Sequence, residues 1–108
     1  MHIDMSYEDF FSVRLSRLRE NKGVSARDMS LSLGNDPSYI NIIENKKAFP
    51  SMRQFFAICE YLRITPEQFF RQDIEYPARL EELLAIYPHL DSESTLLLLE
   101  FARKMEKG

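Results

Sequence analysis

The sequence predicts an all-α chain: five short helices closed into a bundle, followed by a two-helix extension. Three observations carry this expectation. Apolar residues recur at spacings of three and four, and no stretch alternates with period two for long enough to make a strand. Ser or Thr repeatedly precedes Asp or Gln by three residues, the pattern of a helix start. Only 3 glycines and 5 prolines occur in 108 residues, and no segment is repetitive, so little interrupts helix formation.

The elements follow in order. Ser6, with Asp9 three residues on, caps a first helix over about residues 7–21. Phe11, Leu15 and Leu18 fall on one face of it, and Gly23 ends it. Ser25 with Asp28 opens a short second helix over about 26–33, with Met29 and Leu33 inward and Gly34 as its stop. Asp36 as cap and Pro37 in the first turn, where a missing N–H costs nothing, start a third helix. Ser51 with Gln54 opens a fourth over about 51–62, carrying Met52, Phe55, Ile58, Cys59 and Leu62. Thr65-Pro66-Glu67-Gln68 opens a fifth, with Phe69 and Phe70 as its apolar residues.

After a break at Asp73 to Pro77, two further helical segments are expected. One spans about 78–87 with Leu80, Leu83, Leu84 and Tyr87. The other spans about 92–106, capped by Asp91 or Ser92, with Leu96 to Leu99, Phe101, Ala102 and Met105. The organisation expected is one domain over 7–72 and a helical extension over 74–108.

Composition narrows the class. The single cysteine, Cys59, can form no internal disulfide, and no Cys/His cluster has metal-ligand spacing, which fits a reducing, cytoplasmic setting. The start, MHIDMSYEDFF, has no apolar core of a secretory signal, and the longest aliphatic run, Leu96 to Leu99, is far short of a membrane span. The net charge of −3 argues against a polyanionic partner, but its distribution does not. Residues 1–70 hold nine Lys/Arg and nine Asp/Glu, a balance of zero. Residues 71–108 hold five and eight, so the whole excess of acid lies in the last third.

A short second helix, a turn on Gly34 and a third helix soon after have the form of a helix-turn-helix. The residues LSRLREN (15–21), GVSARDMSLSLG (23–34), SYINIIEN (38–45) and FPSMRQFFAICEYLRITPEQFF (49–70) closely resemble the Cro/CI repressor-type (XRE-type) helix-turn-helix family. The resemblance covers about half the chain and all five family helices. It implies a five-helix DNA-binding domain that acts as a dimer on a two-fold symmetric operator and regulates transcription.

Rotating the third helix at 100° per residue points Ile40 and Ile43 into the bundle. Ser38, Ile42 and Asn45 point out, flanked by Asn41 and Tyr39. By resemblance, Pro37, Ser38, Asn41 and Ile42 approach base edges, with Tyr39 beside them. Asn45, Lys46 and Lys47 grip phosphates, and Arg53 adds to the grip. Ala26 stands where many relatives carry a phosphate-binding Gln, leaving Arg27 to reach in its place. Lys46 and Arg63 replace glycines common in the family, and Lys46 is expected in a left-handed conformation. Glu44 pairs in the family with an arginine of the first helix, here Arg19, fixing geometry. Asn can pair with adenine, Ser with several edges and Ile with a thymine methyl, which suits an A·T-rich site.

The extension has more apolar surface than two helices can hide beside a filled bundle. Leu83, Leu84, Tyr87, Leu96, Leu97, Leu98, Leu99, Phe101 and Met105 are therefore expected to form a homodimer interface, the alternative being packing within the chain. No phosphate loop, catalytic triad or metal motif occurs, so no enzyme, cofactor, metal or small-molecule ligand is expected. The function expected is a double-stranded DNA-binding transcriptional regulator, a dimeric repressor on a palindromic operator. The alternative is the same fold used as a protein-interaction module, such as an antitoxin, an anti-repressor or a regulator's partner.

Overall fold

The computed structural model describes residues 5–71 and 75–106. Their regular structure is entirely helical, in two compact units, Met1–Gln72 and Asp73–Gly108. The break expected at Asp73, with the domain boundary set there, begins outside the described residues.

The first unit contains α1 (Tyr7–Lys22), α2 (Ala26–Ser32), α3 (Tyr39–Glu44), α4 (Met52–Leu62) and α5 (Pro66–Phe70). Local chemistry starts four of them as the sequence predicts. The hydroxyls of Ser6, Ser25 and Ser51 accept the N–H three residues on, and Thr65 with Gln68 forms a full reciprocal capping box. The entry to α3 differs. Asp36 caps nothing with its side chain; its carbonyl accepts the Tyr39 N–H at 3.0 Å, so Asp36-Pro37-Ser38 is a turn, and the helix begins two residues later than expected.

The exits of α1 to α4 share one geometry. In each, a residue with positive φ donates to the carbonyl three residues back, while the next N–H reaches the carbonyl five residues back. Gly23 and Gly34 hold that position in α1 and α2. Lys46 (φ 63°) and Arg63 (φ 58°) hold it in α3 and α4, where a side chain is strained.

The core is one cluster of Phe11, Leu15, Met29, Ile40, Ile43, Phe55, Ile58, Cys59 and Phe69. Phe69 lies at its centre, 4.9 Å from Phe11 and 5.1 Å from Phe55 between ring centroids. Burial holds the Cys59 thiol above its usual pKa, so it is a small apolar core group. Met52 and Phe70, named in the sequence among the apolar residues of the fourth and fifth helices, are both exposed. Met52 stands in the first turn of α4, and Phe70 lies at the rim of the aromatic cluster, 5.5 Å from Phe55 and 6.1 Å from Phe11 between ring centroids, while its neighbour Phe69 is fully buried.

The second unit contains α6 (Pro77–Ile86), a 3-10 turn (Tyr87–His89) and α7 (Ser92–Met105). Asp91 caps α7 by accepting the Ser94 N–H at 2.7 Å, and that bond holds its carboxyl below the usual range. None of the unit's described residues is buried, and no described helix is long and apolar enough to cross a membrane.

Candidate nucleic-acid interface

Helix α3 is six residues long, too short to persist by propensity, so its position is set by what holds it. Its inner face is anchored by Ile40 and Ile43, 0% and 1% exposed. Its entry is held by Ser30 of α2, a fully buried hydroxyl that donates to the Ala26 carbonyl at 2.7 Å and accepts the Ile40 N–H at 2.9 Å. Its exit is held from α1, where the buried Ser12 hydroxyl donates to the Ile43 carbonyl at 3.2 Å.

Arg19 and Glu44 complete the clamp. Nε donates to Oε2 at 2.7 Å and Nη2 to Oε1 at 3.1 Å, while Nη1 donates to the Val24 carbonyl at 3.0 Å. The side chains are 15% and 11% exposed, and hydrogen bonding to Glu44 holds the Arg19 pKa above its ordinary value. Sequence reasoning singled out this pair but missed Ser12 and Ser30, whose partners lie 31 and 10 residues away.

The opposite face of α3 is exposed. Pro37, Ser38, Asn41, Ile42, Asn45, Lys46 and Lys47 are exposed, as are Arg27 on α2 and Arg53 in the first turn of α4. Ile42, the centre of that stripe, is 38% exposed. Tyr39 is half-buried: its ring packs on the core and its hydroxyl donates to Gln54 Oε1, tying α3 to α4, while burial raises its pKa. Asn45 bonds back to Asn41 through its side-chain amide.

The cations are not equivalent. Lys46 turns back toward α1 and donates to Asp9 Oδ1 at 2.7 Å, which holds the Asp9 carboxyl below its usual range. Among the described residues Lys47, Arg27 and Arg53 have no ion-pair partner, and no three His, Cys, Asp or Glu side chains gather as for a metal ion.

In the second unit, Leu83, Leu84 and Tyr87 face Leu96, Leu98 and Leu99 across an open apolar groove of about 540 Å³. Leu97, Phe101 and Met105 are exposed as well.

Comparison with known proteins agrees with this geometry. A family model described as a helix-turn-helix domain matches residues 13–73. The clp gene regulator ClgR from C. glutamicum has a similar structure, with a TM-score of 0.56 at 17% identity over 65% of this chain and 90% of that one. So has a hypothetical transcription factor, NHTF, from Neisseria, with a TM-score of 0.57 at 17% identity over 75% and 90%. At that identity the likeness speaks for the fold alone. No curated protein matches the sequence significantly.

Proposed function

We propose that this chain, which belongs to the helix-turn-helix domain family, is a DNA-binding transcription regulator that represses as a dimer on a palindromic operator. The observation that carries the reading is the two-sidedness of α3. One face is locked into the core by Ile40 and Ile43; the other offers Ser38, Asn41 and Ile42, with Lys46 and Lys47 at the helix exit. A helix so held suits the major groove, where Ser and Asn read polar base edges and Ile touches a thymine methyl. Lys46, Lys47, Arg27 and Arg53 serve the phosphates, which fix register without reading sequence; Asn45, expected beside them, spends its amide donors on Asn41 instead. No chemistry is required: occupancy of promoter DNA is the mechanism.

Dimerisation is assigned to the second unit. Among the described residues of this 36-residue unit no side chain is buried, and the chain's single cysteine lies in the other unit, so the core is too small to stand alone; a second copy supplies apolar surface for the exposed leucines.

The test is selection from random duplexes, with the mass measured in solution. An enriched two-fold symmetric sequence bound by a dimer supports the reading. No enrichment, beside a stable protein partner, would favour a protein-interaction module centred on Ile42.

A further inference from the structure

Two asparagines stand one turn apart on the outward side of α3. The amide nitrogen of Asn45 donates to the main-chain carbonyl of Asn41 at 2.8 Å and to Asn41 Oδ1 at 3.2 Å. The first bond determines the second. A main-chain carbonyl only accepts, so the Asn45 atom beside it is the NH2, and the Asn41 atom facing that NH2 is therefore the oxygen.

We infer that Asn45 is a positioning residue that orients the Asn41 amide with its NH2 outward, so that Asn41 reads a base edge made of acceptors, guanine O6 and N7. The inference rests on the reading of α3 as a base-contacting helix and deepens it. Left to itself, Asn pairs best with adenine, donating to N7 while Oδ1 accepts from N6. Here Oδ1 is drawn toward the C-terminal end of α3, whereas a recognition helix meets the bases with its N-terminal end. Turning the amide over would give up the bond to Asn45. The donor side is what remains for the groove, and guanine presents two acceptors there.

Selection from random duplexes with the wild type, Asn41→Ala, Asn45→Ala and Asn45→Asp tests this. Asn41→Ala identifies the base position that depends on residue 41, and the wild type is expected to enrich guanine there. Asn45→Ala is expected to lower the guanine-to-adenine ratio at that position about tenfold and to leave other positions unchanged. Asn45→Asp brings a carboxylate that only accepts; it draws the Asn41 NH2 inward and shifts preference toward cytosine and adenine, whose amino groups donate. Residue 45 is exposed, and thermal melts confirm that the variants fold. The inference is overturned if the wild type prefers adenine at that position, or if both Asn45 variants enrich the wild-type base. A wild type that enriches no sequence overturns the base-contacting role of α3 as well, which separates the two failures.

Discussion

The buried hydroxyl of Ser30 accepts the main-chain N–H of Ile40 at 2.9 Å, joining the two helices of the motif at the entry of the second. Asp36 does not cap α3, so this side chain from another helix does the work a cap would do. Ser30→Ala leaves a buried N–H unpaired. It is expected to cost about 2 kcal/mol of stability, read by urea denaturation, and to weaken DNA binding further by loosening the start of α3.

Glu44→Ala leaves the Arg19 guanidinium largely buried without its carboxylate. A loss of about 3 kcal/mol is expected. Glu44→Gln, which keeps an acceptor, should lose less; equal losses would mean that charge rather than geometry carries the clamp.

Lys46 is paired with Asp9, and in the proposed docking it would exchange that carboxylate for a phosphate. Asp9→Asn removes the internal competitor, so DNA binding should tighten a few-fold at low salt. Lys46→Ala with Lys47→Ala should weaken binding to all sequences and lower the slope of log affinity against log salt by about 2. Unchanged affinity and slope in that double variant would rule out the docking proposed for α3. The Asp9 carboxyl is depressed in the folded chain, so its contribution to stability is present above the usual carboxylate range and is lost as pH falls through the folded value. In Asp9→Asn that share of the acid dependence should vanish.

Arg63 occupies a left-handed position that costs a side chain energy. Arg63→Gly is expected to raise stability by about 1 kcal/mol, measured by thermal unfolding, without altering DNA affinity.

Leu84→Lys together with Leu99→Lys places charge on both walls of the groove between α6 and α7. Sedimentation should show a monomer, with binding reduced to that of a single half-site. A dimer of unchanged mass would assign dimerisation to another surface.

The helix starts at Ser6, Ser25, Ser51 and Thr65 were legible in the sequence, and that of α7 to within Asp91 or Ser92, because a cap bonds an N–H three residues away, within the stretch being read. The split of α3 into Ile40 and Ile43 inside and Ile42 outside was legible for the same reason: helical rotation alone sets it. Tertiary structure alone decided which polar residues are structural. Ser12 and Ser30 carry no signal of a role in the sequence; α3 supplies a carbonyl to one and an N–H to the other only in the folded bundle. It also decided that Lys46 faces Asp9, 37 residues earlier, and that Met52 and Phe70 stay exposed. Bonds between neighbours in the chain depend on local geometry that residue type specifies, whereas bonds across the bundle depend on which segments pack together, and that is settled only when the core closes.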